Sequence, residues 1–319
     1  MNKISIVVPC FNEEEMIPKF YQAIKDIWVK MEDATYEIIF INDGSNDHSL
    51  SILRMINKRD PNCTYLSFSR NFGKEAAMYA GLSNASGNFV VIMDVDLQHP
   101  PTLLPAMYHA VSKEGYDCAG GKRADRSGEG KLRAILSKAF YKVIDSLSDI
   151  DMKDGAGDFR MMSRQMVDSL LSMKEYNRYS KGLFSFVGFD TKWIEFHNVE
   201  RVAGESKWNF GSLFKYAIDG IMSFSTIPLV FASVCGVIFC VISLIMAAYV
   251  GFKTLLFGNP ISGYTTIVCV MLMLGGIQLF FVGIVGQYLS KNYMESKNRP
   301  LYIIKETSLH PVYEKVHNQ

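Results

Sequence analysis

Short apolar runs separated by longer mixed segments fill the first two thirds of the chain. Five of them, at residues 4–8, 36–41, 64–68, 89–93 and 116–119, end in polar or glycine-containing turns. Runs of this length predict strands, and the segments between them are long enough for crossover helices. The alternation predicts an α/β fold with a mostly parallel, doubly wound sheet. A further strand-like run covers Thr191–Phe196.

The C-terminal third contains very few charges. Residues 220–252 and 254–290 have no charged side chain and are separated only by Lys253. A membrane-spanning helix needs about 20 apolar residues, so each stretch can supply one. The alternative is a helical hairpin buried in a large soluble core, which two adjacent uncharged runs of this length disfavour. We therefore predict two transmembrane helices within residues 225–290, joined by a turn-rich loop.

Basic residues set the expected topology. Those that flank the two predicted helices are Lys207, Lys215, Lys291, Lys297, Arg299 and Lys305. The loop between the helices carries Lys253 alone, so the positive-inside rule places both ends in the cytoplasm. We expect a multi-pass membrane protein, with a cytoplasmic domain at residues 1–209 and a cytoplasmic tail at residues 291–319.

Two segments have the apolar spacing of amphipathic helices. Residues 130–147 and 210–222 both repeat apolar side chains at i, i+3, i+4 and i+7. The first can face the protein core or lie on a membrane. The second leads directly into a predicted transmembrane helix, so we expect residues 210–224 to lie in the headgroup region.

Overall composition narrows the class of protein. The chain has 319 residues, with 33 Lys and Arg against 32 Asp and Glu. This balance argues against a polycationic nucleic-acid binder. The six cysteines contain no CxxC pair, so neither a disulfide framework nor a zinc site is indicated. The apolar run at the N-terminus is too short for a signal peptide, which is consistent with a cytoplasmic front domain.

Polar residues follow the predicted strands, where an open α/β sheet binds its ligands. Asp94 and Asp96 come directly after the fourth run and can converge on one Mg²⁺ or Mn²⁺ ion. Residues 42–45 read Asn-Asp-Gly-Ser, in which the Asp43 carboxylate can accept hydrogen bonds from a base or a ribose. Taken alone, the first motif is weak evidence, and the second is explained equally well by a turn that caps a helix.

Six ordered motifs together resemble a known family. Three of them, at residues 7–14, 42–45 and 94–101, resemble the inverting family 2 glycosyltransferases of the GT-A fold. Ser-Arg-Asn-Phe-Gly-Lys at 69–74, Gly-Asp-Phe-Arg-Met-Met at 157–162 and Arg-Val-Ala-Gly-Glu-Ser-Lys-Trp at 201–208 look like the polyprenyl-phosphate branch. That branch includes bactoprenol glucosyltransferases and dolichol-phosphate mannose synthases, and the resemblance covers essentially the whole chain. Asn42 departs from it, because the family often has Asp there.

The resemblance implies roles for individual residues. Those implied to bind the nucleotide sugar are Pro9, Phe11, Glu13, Asp43, Lys74 and Asp94. Asp94 and Asp96 would bind the cation, with Gln98 as a further ligand, and Asp158 matches the family's proposed catalytic carboxylate, which would act together with Asp96. Those implied to bind phosphate are Arg201, Ser206 and Lys207. Arg123 and Arg126, between the fifth strand and the first amphipathic helix, are our candidates for the acceptor phosphate.

The expected reaction moves a hexose from a nucleotide sugar to polyprenyl phosphate at the cytoplasmic face of the membrane. UDP-glucose and undecaprenyl phosphate are the expected substrates, and the lipid product would supply sugar for modifying surface polymers. A single displacement would give a β-linked product from an α-linked donor. GDP-mannose, a UDP-aminosugar and an aminoarabinose derivative remain alternative donors, since fold analogy does not fix specificity.

Proteins of other classes fit the sequence less well. A processive polysaccharide synthase is disfavoured because the chain has no Gln-x-x-Arg-Trp segment. A channel subunit is expected to have ionisable residues within its spans, and these spans have no charged side chain. A non-catalytic membrane protein that binds nucleotide sugars is expected to have lost Asp94, Asp96 or Asp158, and all three are present. Glycines at 275, 276, 283 and 286 permit close helix packing, from which we expect a homo-oligomer.

Overall fold

A computed structural model of the chain describes residues 1–29, 31, 33–123, 156–196, 227–257 and 263–309. Within these residues, one sheet contains strands from both ends of the chain, in the order β7-β5-β6-β4-β1-β2-β3-β8. The strands are β1 Asn2–Cys10, β2 Ala34–Asn42, β3 Cys63–Phe68, β4 Phe89–Ile92, β5 Cys118–Arg123, β6 Ala156–Ser163, β7 Thr191–Phe196 and β8 Ile304–Thr307.

The sheet is mostly parallel, as the alternating pattern predicts. Strands β4, β1, β2 and β3 run parallel to one another, and β5 runs parallel to β7. Strand β6 is antiparallel to both β4 and β5, and β8 is antiparallel to β3. The first residues of β6 therefore lie at the edge of the sheet where β4 ends.

Helices cover both faces of the sheet. They are α1 Met16–Trp28, α2 Ser49–Arg59, α3 Lys74–Asn84, α4 Leu104–Ser112, α5 Arg164–Ser172 and α6 Ser180–Phe186, with a short 3-10 turn at Pro101–Leu103. One apolar core lies under α1, α2 and α4, and a second lies under α3, α5 and α6. Residues 4–8 of β1 are fully buried, which explains why four of these five residues are apolar; Ser5 is the polar exception.

Packing on each face follows the apolar spacing of its helices. In α1, Met16, Phe20 and Ile24 are buried at intervals of four residues, and Phe20 meets Phe40 of β2 edge to face. In α3, a Cβ at Gly81 would lie 2.2 Å from Cγ1 of Val7. Glycine at this position therefore lets α3 approach the sheet closely.

Two long helices follow the sheet domain where transmembrane helices are predicted: α7 Ile227–Phe257 and α8 Tyr264–Ser296. Among the described residues, one segment is long and apolar enough to cross a membrane, Met273–Ser296, with a mean hydropathy of 1.4 and none of its window buried. The apolar segment found in α7, Leu229–Phe239, is shorter. Two spans and a homo-oligomer therefore stay predictions, and the proposed amphipathic helices at 130–147 and 210–222 lie outside the described residues.

Two strands and one boundary differ from the sequence analysis. Strand β5 begins at Cys118 and ends at Arg123, so Arg123 belongs to the strand and not to the segment after it. Strands β6 and β8 were not expected, because the first alternates small, charged and apolar residues and the second reads Ile-Lys-Glu-Thr. Their positions in the sheet depend on partners far away in sequence.

Strand β8 brings the segment after α8 back onto the sheet. Tyr302 stacks on Phe68 with ring centroids 5.0 Å apart, and the backbone N–H of Ser69 donates to the carbonyl of Ile303 at 2.9 Å. Glu306 accepts hydrogen bonds from Arg54 and from the Tyr65 hydroxyl. The segment that follows α8 is therefore held against β3, the strand that leads into residues 69–73.

Candidate active site

Three side chains from distant parts of the sequence form a charged cluster at the carboxyl edge of the parallel strands. Lys74, the first residue of α3, places its Nζ 2.7 Å from Oδ1 and 3.0 Å from Oδ2 of Asp94. The same nitrogen lies 2.9 Å from Oδ2 of Asp158, near the start of β6. One ammonium group thus joins the carboxylate after β4 to the carboxylate of β6.

Electrostatics keep all three groups charged. Burial alone would raise the pKa of Asp158, but the Lys74 ammonium outweighs it and holds that pKa well below its usual range. Burial opposes the charge on Lys74 as well, yet Asp158 and Asp94 raise its pKa. Asp158 is therefore a carboxylate at neutral pH, able to orient or stabilise a reacting group without first losing a proton.

The turn after β4 presents Asp94 and Asp96 together. Val95 between them is 4% exposed and packs in the core, whereas both aspartates are partly exposed. The backbone N–H of Gln98 donates to Oδ1 of Asp96 at 3.1 Å. Leu97 has a φ of 59°, an uncommon conformation for a residue with a Cβ that often marks functional turns.

His99 lies directly beneath Asp94. It is 7% exposed, and its ring stacks on Phe159 with centroids 4.9 Å apart and contacts Phe196 edge to face. Its Nδ1 is 3.9 Å from Oδ2 of Asp94 and has no hydrogen-bond partner. Burial lowers the pKa of His99, so its imidazole is neutral at neutral pH.

Asp43 is held in a different way, by backbone groups. It is 4% exposed, and its carboxylate accepts hydrogen bonds from the N–H of Phe72 at 2.6 Å and of Gly73 at 2.9 Å. Gly44 has a φ of +67°, and a Cβ there would lie 2.3 Å from the carbonyl carbon of Arg70. The turn after β2 and the loop after β3 are thus locked together.

The loop after β1 is fastened to the same turn. The Asn12 N–H donates to Oγ of Ser45 at 2.9 Å, and Oδ1 of Asn12 accepts from the Asn46 N–H at 2.9 Å. Asn42 is buried, donates from Nδ2 to Oγ of Ser67 at 2.9 Å and accepts from the Ser45 N–H. Its amide supplies both a donor and an acceptor, which accounts physically for asparagine at this departure from the family pattern.

Comparison with known proteins gives a clear result. The family model described as glycosyl transferase family 2 matches residues 5–171. The chain belongs to this family. It is 43% identical over 307 residues to the SfII prophage-derived bactoprenol glucosyl transferase of Shigella flexneri, which covers 96% of this chain and 98% of that protein. It is 44% identical over 305 residues to the bactoprenol glucosyl transferase of Shigella phage SfV, which covers 95% of this chain and 98% of that protein.

Solved structures resemble the chain at a lower level. Glucosyl-3-phosphoglycerate synthase from Mycobacterium tuberculosis, in complex with Mn²⁺, UDP-glucose and phosphoglyceric acid, is 20% identical with a TM-score of 0.44. The match covers 69% of this chain and 78% of that chain. Mannosyl-3-phosphoglycerate synthase from Rubrobacter xylanophilus is 15% identical with a TM-score of 0.46, covering 69% of this chain and 72% of that chain.

The residues at the end of β4 fit a divalent cation. Asp94 and Asp96 supply carboxylate oxygens, and Mg²⁺ commonly takes one or two carboxylates together with substrate phosphates and water. No group of three or more His, Cys, Asp or Glu side chains suited to a metal occurs among the described residues. Nδ1 of His99, which has no hydrogen-bond partner, lies 3.9 Å from Oδ2 of Asp94.

The predicted site residues fall into four groups. The structure brings Lys74, Asp94 and Asp158 together and places Asp96 and Gln98 in the adjoining turn. Pro9 is paired with Ile41 near the end of β1, with Phe11 and Glu13 in the loop that follows, next to Asp43. Arg123 is the last residue of β5. Those outside the described residues are Arg126, Arg201, Ser206 and Lys207.

Sequence reasoning missed supporting residues around Asp158. Arg160 is 4% exposed, its guanidinium lies 3.8 Å from the ring centre of Phe184, and its Nη2 donates to the carbonyl of Gly157 at 3.0 Å. Beside Lys74, Glu75 accepts from the N–H of Ser180 at 3.1 Å, and burial raises the pKa of Glu75 to about 7. Both residues adjoin or lie within motifs that the sequence analysis singled out, but their partners are distant in sequence and could not be read from it.

Proposed function

We propose that the chain is a membrane-anchored GT-A glycosyltransferase that moves glucose from UDP-glucose to polyprenyl phosphate. The observation that carries the proposal is the Asp94–Lys74–Asp158 cluster, placed where an open α/β sheet binds ligands. Relatives more than 40% identical over nearly the whole chain are named bactoprenol glucosyl transferases, which supports glucose as the sugar and a polyprenyl carrier as the acceptor.

Donor binding uses the two sides of the strand edge. The backbone N–H of the buried Asp43 donates to the carbonyl of Cys10, so Asp43 adjoins the segment that contains Pro9, Phe11 and Glu13. Together these residues would hold the uridine. The Lys74 ammonium would approach the diphosphate as a compact charge. Asp94 and Asp96 would hold Mg²⁺ or Mn²⁺, with Gln98 near them. Such a cation neutralises charge that builds on the leaving diphosphate.

The acceptor needs little activation. A phosphate monoester has a second pKa near about 6 and is already largely ionised at neutral pH. Its oxygen can attack the anomeric carbon while UDP leaves from the opposite side, which inverts the configuration. The permanently ionised Asp158 would orient the attacking group and stabilise the positive charge that develops on the sugar. Arg123, Arg126, Arg201, Ser206 and Lys207 remain candidates for phosphate contacts.

Membrane attachment explains how a lipid acceptor reaches this site. The chain has apolar side chains that are exposed along both long helices, including Ile245 of α7 and Leu279 and Val282 of α8. Exposed apolar helices of more than 30 residues suit a bilayer of about 30 Å of hydrocarbon. We propose that both helices span the inner membrane, with the sheet domain and both termini in the cytoplasm, where nucleotide sugars are found.

The test is transfer of radiolabelled sugar from a panel of UDP- and GDP-sugars to undecaprenyl phosphate, using the full chain in detergent with Mg²⁺. We expect label in the lipid phase from UDP-glucose, and we expect Asp96→Asn to abolish it. Asp33→Asn, at an exposed position before β2, is the matched control and should transfer normally. Folded protein that binds nucleotide but labels no lipid from any donor would contradict the proposal.

A further inference from the structure

Asp94 lies between two hydrogen-bond donors, and only one of them is in use. Both carboxylate oxygens of Asp94 contact the Lys74 ammonium, at 2.7 and 3.0 Å. On its other side, Nδ1 of His99 is 3.9 Å from Oδ2, which is too long for a hydrogen bond. Asp94 can therefore exchange one donor for the other by a small rotation.

An unpartnered nitrogen at this depth requires an explanation. His99 is 7% exposed, and its Nδ1 is one of three buried side-chain atoms in the described residues without a hydrogen-bond partner. Buried polar atoms are nearly always paired, because leaving one unpaired is unfavourable. Each exception in a native structure therefore calls for an explanation, such as a catalytic role or a bound ion.

The histidine ring is fixed, so the carboxylate is the group that moves. Phe159 stacks on the ring with an interplanar angle of 13°, and Phe196 meets it at 84°. Asp94, by contrast, is 31% exposed, and its present partner Lys74 is 42% exposed on a flexible side chain. A rotation about the side-chain bonds of Asp94 would bring Oδ2 within hydrogen-bond distance of Nδ1.

We propose that His99 is a positioning residue that receives Asp94 from Lys74 when the site binds a divalent cation. This inference rests on the proposed function. In this arrangement Oδ1 of Asp94 faces the cation and Oδ2 accepts a hydrogen bond from Nδ1–H of His99. Lys74 keeps its contact with Asp158 and turns its freed N–H bonds to the donor diphosphate.

This assignment explains the architecture of the β4 turn. The ring of His99 stacks on Phe159, which follows Asp158 in the sequence. The same pair of buried rings therefore lies next to Asp94, the proposed cation ligand, and Asp158, the proposed catalytic carboxylate. Replacing a residue that hydrogen-bonds to a metal ligand typically changes metal affinity about 10- to 100-fold. His99 would thus set the affinity for the cation without contacting it.

The test is Mn²⁺ binding to metal-free full-length protein in detergent, measured by electron paramagnetic resonance with and without UDP. His99→Phe keeps an aromatic ring beside Phe159 but has no nitrogen, and we expect it to weaken Mn²⁺ binding about tenfold or more. His99→Asn and His99→Gln both remove the ring, but only Asn places an amide N–H near the position of Nδ1. We expect Asn to bind Mn²⁺ several-fold more tightly than Gln.

The Asn and Gln pair separates hydrogen bonding from packing even if His99→Phe does not fold. Equal Mn²⁺ affinity for these two variants, or wild-type affinity for folded His99→Phe, would overturn the role of His99. Wild-type protein that binds no Mn²⁺ would overturn this inference and the metal-assisted reaction together. If Mn²⁺ binding depends on His99 as expected but no sugar is transferred to lipid, the inference stands and the proposed function is contradicted.

Discussion

Two carboxylates at the same edge of the sheet are held in opposite ways. Asp43 is 4% exposed and accepts hydrogen bonds from two backbone N–H groups, which cannot leave without moving the main chain. Asp94 is 31% exposed and is held by one lysine side chain that also contacts Asp158. The half of the site that we propose binds the nucleotide is therefore preformed. In the half that we propose binds the diphosphate, here called the phosphate half, partners can be exchanged.

The largest effect on turnover is expected from Asp158→Asn, in the phosphate half of the site. The change removes one of the two negative charges that contact Lys74 while keeping the shape of the side chain. We expect kcat to fall about 10³-fold, within the range for a catalytic acid or base, with a much smaller change in the KM for UDP-glucose. Steady-state transfer assays check this. Near-normal turnover of the folded variant would remove Asp158 from the catalytic residues.

Lys74→Met should have the next largest effect. The variant loses a charged donor that would reach the diphosphate, and such a hydrogen bond contributes about 1.5–3 kcal/mol, or about a 10- to 150-fold fall in kcat/KM for the donor. Lys192→Met is the matched control, because that lysine pairs with Glu114 away from the cluster. Equal behaviour of the two variants in donor kinetics would contradict the assignment of Lys74.

Gly44→Ala tests the preformed half. Its Cβ would lie 2.3 Å from the carbonyl carbon of Arg70, so the loop that holds Asp43 must shift. We expect a loss of about 1–3 kcal/mol in unfolding free energy and a raised KM for UDP-glucose. Gly115→Ala is the control, since Gly115 also has a positive φ, of 84°, but an added Cβ there meets nothing. A Gly44→Ala variant that is no worse than this control would show that the loop is not locked.

Glu306→Gln should have the smallest effect, because it loosens the tail strand β8 beside the preformed half. The hydrogen bonds from Arg54 and Tyr65 lower the pKa of Glu306 to about 2 from an ordinary value of 4.5. Its stabilising contribution is therefore complete above about pH 4.5 and is lost as the pH falls towards 2. Exposed pairs of this kind contribute at most about 1 kcal/mol.

Thermal unfolding of wild type and Glu306→Gln, at about pH 6 and again at about pH 3, measures this contribution. At the higher pH we expect the wild type to be more stable than Glu306→Gln. At the lower pH we expect the difference in stability between the two proteins to be smaller. A difference that grows on acidification would have the wrong sign for a carboxylate whose pKa is lowered by folding.

The sequence predicts the central strands because most residues of β1 to β4 are buried, and each strand therefore contains a mainly apolar run. Strand β8 could not be found this way, since its four residues are polar and depend on pairing with β3. The motifs located Lys74, Asp94 and Asp158, but the contacts that join them become visible only in three dimensions, because Lys74 and Asp158 are 84 positions apart in the sequence. His99 lies in the motif at residues 94–101, but the sequence assigns it no role, because only the packed structure shows that one of its ring nitrogens has no partner.

The most direct test of the account is the configuration of the lipid product. UDP-α-glucose labelled at the anomeric carbon would be incubated with the full chain, Mg²⁺ and undecaprenyl phosphate, and the extracted lipid examined by NMR. Single displacement at this site predicts a β-linked glucosyl phosphate. An α-linked product, or folded enzyme that consumes UDP-glucose without glucosylating the lipid, would contradict it.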